Sequence, residues 1–136
     1  AKNIKLRQAF TLSIADIDHL KEADFFGIAS GNQMDDKFEK SNLTAIKSKN
    51  VDAPIVTEFP LTLECEVVEC QNTVYGFRVL GKIVNVLADE KVLDENNKVD
   101  PTKLNAFVFD QFQNGYYAIG EKVGQAWDSG MEFMKK

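Results

Sequence analysis

Residues 61–68 (LTLECEVV) alternate with a period of two. Leu61, Leu63, Cys65 and Val67 fall on one face, and Thr62, Glu64 and Glu66 on the other. That period predicts a half-buried antiparallel strand. Residues 9–15 (AFTLSIA) alternate in the same way and predict a second strand. The period then lengthens. Asp16 is a good N-cap, and Ile17, Leu20, Ala23 and Phe26 or Gly27 recur at helical spacing, so a helix with one buried stripe is expected, with Gly31 as its stop. A short helix from Asp35 to about Ser41 follows, acidic at its start. From Leu43 to Pro60 the chain reads as loop with short extended pieces, punctuated by Pro54 and Pro60.

The second half is richer in strands. Residues 74–87 form a long β-prone run in which Gly76 and Gly81 mark a bulge, a bend or a close approach. Residues 94–100 (DENNKVD) read as an exposed turn. They are not a calcium loop, because Lys98 takes a ligand position and the required Gly and final Glu are missing. Pro101–Asn105 suits one helical turn with Pro at its first position. Residues 107–109 and 116–119 read as short strands, and 120–129 as a terminal helix burying Val123 and Trp127. Many strands, few helices and no βαβ alternation favour an antiparallel barrel over a doubly wound sheet.

Composition narrows the function classes. A chain of 136 residues reads as one domain, 1–136, and is long enough to bury a core. A net charge of −5 argues against nucleic acid as the main partner. No apolar run approaches the roughly 20 residues of a membrane helix, and no signal-peptide pattern opens the chain. Cys65 and Cys70 share one expected strand, with Cα atoms roughly 16 Å apart if it is extended, too far for a disulfide. Two reduced thiols, Cys65 in the core, fit a cytoplasmic protein. One histidine, His19, and no Cys-x-x-Cys pair give no metal set. His19, beside Asp18, reads as a solvated helix residue.

Candidate chemistry is sparse. Gly-x-Gly-x-x-Gly, Walker, His-Glu-x-x-His and Gly-x-Ser-x-Gly patterns are all lacking. Ser13, His19 and Asp16 are the right types for a triad, but nothing in the sequence positions them. Adjacent carboxylates such as Asp35-Asp36 and Asp89-Glu90 read as solvated caps or turns rather than acid–base pairs. Residues 30–37 are the one plausible anion site: a Ser30-Gly31 turn, a helix start and the charge of Lys37. From the residues alone the plainer reading is preferred: a capped helix-turn-helix with Lys37 in water. Ten phenylalanines, with Tyr75, Tyr116, Tyr117 and Trp127 in the second half, suit a compact β core first and a flat cofactor ring second.

Six segments in order, NIKLRQAFTLSI, KEADFFGIASG, DDKF, DAPIVTEFPLTLECEVV, LGKIVNVLADEKVLDENNKVDP and YYAIGEKVGQAW, resemble the flavin reductase-like family, the FMN-binding split barrels that include the flavoredoxins. The resemblance implies a mainly β fold with peripheral helices, an antiparallel split β-barrel of the FMN-binding type, usually a homodimer. It implies FMN as cofactor and NAD(P)H and a redox acceptor as partners. The activity would be NAD(P)H-dependent flavin reduction, or electron transfer through bound FMN without a separate nicotinamide site. No acid–base residue is then required.

The motif Ser-Gly…Asp-Lys-Phe maps onto Ser30, Gly31, Asp36, Lys37 and Phe38. It implies a phosphate contact from Lys37 and a shaping turn at Ser30 and Gly31, although one extra residue separates Gly31 from Asp36. Tyr116 and Tyr117 match the tail motif and would edge the flavin or the dimer seam. Many relatives carry a histidine where Gly76 stands here, and Arg78 is the substitute for binding an anionic substrate. The family's opening strands, with a Thr/Ser-rich loop and an Arg-x-Thr/Ser segment, have no counterpart before Asn3-Ile4. A truncated fold with open sheet edges is therefore expected, and a non-flavin oligomerisation module is the remaining alternative.

Overall fold

A computed structural model describes residues 1–134. The elements run α1 (Lys2–Arg7), β1 (Ala9–Ile14), a 3-10 turn (Ile17–His19), α2 (Leu20–Ile28), α3 (Lys37–Lys40), β2 (Ala45–Lys47), β3 (Pro54–Val56), β4 (Leu61–Thr73), β5 (Gly76–Ala88), a 3-10 turn (Glu90–Val92), α4 (Pro101–Leu104), β6 (Phe107–Asp110), β7 (Gly115–Ala118) and a 3-10 turn (Met131–Met134). Among the described residues every strand pair is antiparallel: a sheet in the order β1-β4-β5 and two hairpins, β2-β3 and β6-β7. None of these sheets closes on itself, as befits a split barrel. No helix is long and apolar enough to cross a membrane among these residues.

Local chemistry explains most boundaries. Asp16 accepts a hydrogen bond from the His19 backbone N–H and starts the turn into α2. Asp100 caps α4 through the N–H groups of Thr102 and Lys103, with Pro101 in the first turn. Residues 94–98 close a turn, Asp94 N–H to Lys98 O at 2.7 Å, with Asn97 left-handed at φ 58°. Gly76 closes the β4-β5 hairpin at φ 124°, a conformation that side chains avoid.

The three-stranded sheet has its faces covered in an unexpected order. The alternation in β4 is real, but two polar positions, Thr62 and Glu64, are buried as deeply as Cys65 on the apolar face, while Glu66 is exposed. Glu64 is 0% exposed and Thr62 2%, while Leu61 and Leu63 are only half-buried. Register puts Thr11, Glu64 and Asn85 in one row, and Ser13, Thr62 and Leu87 in the next. Over this face lies the β2-β3 hairpin with its connecting loop, packed through Ala9, Val51 and Ala53 and tied by Thr11 Oγ1 donating to Pro54 O at 2.5 Å. On the opposite face the Ile14–Leu61–Ala88 row packs against Val92, Leu104 and Ala106. Beyond that row the apolar face is bare: Leu12, Ile83 and Val86 are each about half exposed.

Gly81 is where the bare face needs a missing side chain. A Cβ there would sit 2.5 Å from the Phe10 ring and 3.3 Å from Cys65 Cβ. Gly81→Ala is therefore expected to cost about 1–3 kcal/mol by overpacking. The penalty should largely vanish in the Phe10→Ala background; urea midpoints of the two single variants and the double variant measure that coupling.

Several expectations need correction. Residues 120–129 are not helical: they form extended chain and turns, with Trp127 95% exposed at φ 61° and Val123 fully exposed. Two internal glycines and the absence of a surface to pack on explain this. The α2 stripe is at best half-buried, and Ile17 and Gly27 are exposed. Gly31 does not stop α2; the helix ends in an extended Ala29, and Gly31 lacks a positive φ. All ten phenylalanines are half-buried or exposed, so they do not form the core. His19 is not simply solvated. Its Nδ1 lies 2.6 Å from Asp16 Oδ1, and its ring meets Phe59 edge-on at 5.9 Å. Ser13 stands apart from that pair, sharing its hydrogen bond with Thr62.

Candidate functional site

The α2–α3 turn gathers five of the expected residues. The Ser30 carbonyl accepts from the Gln33 and Met34 N–H groups at 3.0 Å each, and Ser30 Oγ accepts from Asn32 N–H at 3.3 Å. Gly31 is exposed, with open space where a Cβ would stand. Lys37 is not in water. Its ammonium donates to Ala29 O at 2.6 Å and Phe26 O at 2.8 Å, the last carbonyls of α2. A cation there meets the negative end of the helix. The same ammonium lies 5.4 Å from the Phe26 ring centroid, and Phe26 stacks on Phe38 at 6.1 Å and 6°. Asp36 turns outward to Lys40 at 3.0 Å.

Tyr116 comes to the same helix from the far end of the sequence. Its hydroxyl donates to Asp24 Oδ1 at 2.6 Å, and its ring meets Phe107 edge-on at 5.3 Å. The bond to the Asp24 carboxylate holds the phenol above the usual tyrosine range. Tyr117 points elsewhere, donating to Gln113 Oε1 at 3.3 Å. Arg78 is exposed beside Gln71, near the Thr73–Gly76 turn and at the opposite end of β5 from Ala88. Lys37 and Tyr116 thus share α2 as support, whereas Arg78 does not join them.

A groove of about 760 Å³ opens between α1, β1 and the β2-β3 hairpin, with Leu6, Phe10 and Ile46 among its walls. None of the expected cofactor residues lines it. Its two cations, Arg7 and Lys47, are turned to Asp52 at 2.8 and 4.0 Å. That composition suits an apolar or aromatic group better than a phosphate. Lys37 keeps one N–H beyond its two carbonyl bonds, so the turn is the better fit to a phosphate, with the Phe26–Phe38 pair as aromatic neighbour.

The sequence reading missed a second polar assembly. Glu64 accepts from Ser48 Oγ on one oxygen, and from Asn50 Nδ2 at 2.7 Å and Asn85 Nδ2 at 2.6 Å on the other. The hydrogen bond from Ser48, then that from Asn85, hold its carboxyl below the usual range against the opposing effect of burial. The only sequence signal was a glutamate inside an alternating strand. The assembly is closed and filled, so it is a structural pin rather than a substrate site.

Residues 1–113 match the family model described as the flavin reductase-like domain. Among solved structures, the flavoredoxin of Desulfovibrio vulgaris (Miyazaki F) is 33% identical with a TM-score of 0.85; the match covers 95% of this chain and 68% of that one. The flavoredoxin from Methanosarcina acetivorans is 24% identical with a TM-score of 0.87, covering 96% and 68%. Among curated proteins, the uncharacterized protein YdfE of Bacillus subtilis (strain 168) is 26% identical over 97 residues, 69% of this chain. The chain spans about half, 46%, of the length of that relative.

Proposed function

Because the chain belongs to the flavin reductase-like family, we propose that it is a flavin-linked redox protein that holds FMN and passes electrons from NAD(P)H to an acceptor. The observation that carries this reading is the family match over residues 1–113, joined to the likeness to a flavoredoxin at 33% identity. FMN, when bound, supplies the redox chemistry itself. The chain's own residues bind and orient. Lys37, tied to the end of α2, offers its remaining N–H to the phosphate. Ser30 and Gly31 shape the turn beside it, Asp36 holds Lys40 away, Phe38 and Tyr116 edge the ring, and Tyr117, which points elsewhere, is left to the dimer seam. Arg78 is the proposed contact for an anionic substrate.

A second reading, an electron carrier without its own nicotinamide site, is favoured by two features. Gly76 stands where many relatives carry a histidine, and Arg78 lies apart from the Lys37 and Tyr116 group. Either form is proposed to be a single-domain cytoplasmic homodimer.

The test is a visible spectrum of the purified chain after incubation with FMN and desalting. Retained flavin bands are expected, bleached by NADH or NADPH for a reductase and only by a redox partner for a carrier. A colourless protein would sink both readings for this chain.

A further inference from the structure

We propose that Asp24 is a positioning residue of the cofactor site: it fixes the Tyr116 ring against α2, so that the ring edges a bound flavin in one pose. The inference rests on the flavin reading above and adds the residue that aims its aromatic edge.

Three contacts hold Tyr116. Its hydroxyl donates to Asp24 Oδ1 at 2.6 Å, the short distance of a bond to a charged acceptor. Phe107 meets the ring edge-on at 5.3 Å, and Phe109, the partner of Tyr116 in the β6-β7 register, lies tilted at 5.5 Å. Both phenylalanines belong to the same hairpin as Tyr116, so they set the ring within that hairpin and no further. Asp24 relates it to another element. Among the described residues, no other side-chain hydrogen bond joins α2 to β6 or β7.

The same stretch of α2 carries the phosphate side. Phe26 O and Ala29 O, which receive the Lys37 ammonium, stand two and five residues after Asp24. Those steps are about 3 and 7.5 Å along the helix axis. The helix therefore sets the spacing between the ring contact and the phosphate contact, provided Tyr116 is tied to it. Without Asp24 the hairpin would move independently of Lys37. The bond also decides what Tyr116 offers. Its one proton is given to Asp24, and the carboxylate disfavours the phenolate, so the flavin meets the ring and not a proton donor.

FMN titration of the full chain tests this. A tyrosine beside a flavin quenches its emission, so bound FMN should be dim in the wild type. Asp24→Ala keeps Tyr116 and puts a good helix former in α2. Emission of its bound FMN should rise severalfold, and affinity should fall about tenfold, the scale of one charge-assisted contact. Asp24→Asn, whose amide oxygen still accepts from the phenol, should rescue both. Tyr116→Phe should weaken FMN binding as Asp24→Ala does, and the double variant should lose little more. Without flavin, carbon-13 NMR of ring-labelled tyrosine reads the contact itself. The Tyr116 phenol should titrate above the usual tyrosine range in the wild type and fall back toward it in Asp24→Ala. An Asp24→Ala protein with wild-type emission and affinity overturns the proposal while the flavin reading stands, and so does an Asp24→Asn protein no better than Asp24→Ala. A Tyr116 phenol that titrates alike in the wild type and Asp24→Ala overturns the contact, with or without flavin. A wild type that retains no FMN overturns the flavin reading, and the positioning role with it.

Discussion

Replacing Glu64 with alanine is expected to remove roughly 3–5 kcal/mol of stability, the usual cost of emptying one side of a buried charged hydrogen-bond set. The carboxylate is wholly enclosed and accepts from Ser48, Asn50 and Asn85. Its removal leaves the buried Ser48 hydroxyl and the half-buried Asn85 amide without their acceptor, while the exposed Asn50 can turn to water. Glu64→Gln should also destabilise, because its amide turns a donor toward donors. The wild-type pH profile carries the sign of the lowered carboxyl. Glu64 binds its proton more weakly in the fold than in the unfolded chain. Its contribution is therefore complete above the unfolded value of about 4.3 and is lost as pH falls through the lower folded value. Urea unfolding at neutral pH and in the acid range should show that loss in the wild type and a shallower one in Glu64→Gln. Equal acid slopes in the two proteins would assign the acid sensitivity to other groups.

On the proposed FMN site, replacing Lys37 with methionine is expected to weaken FMN binding by about tenfold or more, the loss of one charge-assisted contact. The same change should cost the fold about 1 kcal/mol, because the ammonium also ties off Phe26 O and Ala29 O at the end of α2. Lys40→Ala is the matched control: its ammonium pairs with Asp36 at the surface, so affinity should hold. FMN fluorescence titration and urea midpoints separate the two effects. A Lys37→Met protein with lower stability and full affinity would make Lys37 a helix tie and nothing more.

Elements whose cause is local were legible in the sequence. The alternation within residues 9–15 and 61–68, the Pro101 start of α4 and the turn expected over 94–100 depend on neighbours within a few residues, and each has its counterpart in β1, β4, α4 and the 94–98 turn. The family was legible because its segments keep their order. What depended on distant partners was not. Alternation says that a strand has two different faces, but not which one is covered. Ser48, Asn50 and Asn85 had to meet before Glu64 could be buried. Lys37 read as a free charge because the carbonyls that engage it lie 8 and 11 residues back. Residues 120–129 space Val123 and Trp127 as a helix would, yet a spacing without a packing surface does not make a helix. The Tyr116–Asp24 bond spans 92 residues and left no local trace.

The polar underside of the sheet has a thermodynamic consequence. The β2-β3 cover is fastened mainly by the Glu64 carboxylate, which accepts from Ser48 and Asn50 of the cover, and by the Thr11 hydroxyl, with a small apolar cluster of Ala9, Val51 and Ala53 beside them. Lifting such a cover exposes little hydrocarbon, so it carries a small heat capacity and a small response to denaturant. Urea, which acts in proportion to exposed surface, would barely distinguish a seated cover from a lifted one. Protons would distinguish them readily. Acid, through the lowered carboxyl of Glu64, is therefore expected to loosen that layer before denaturant does.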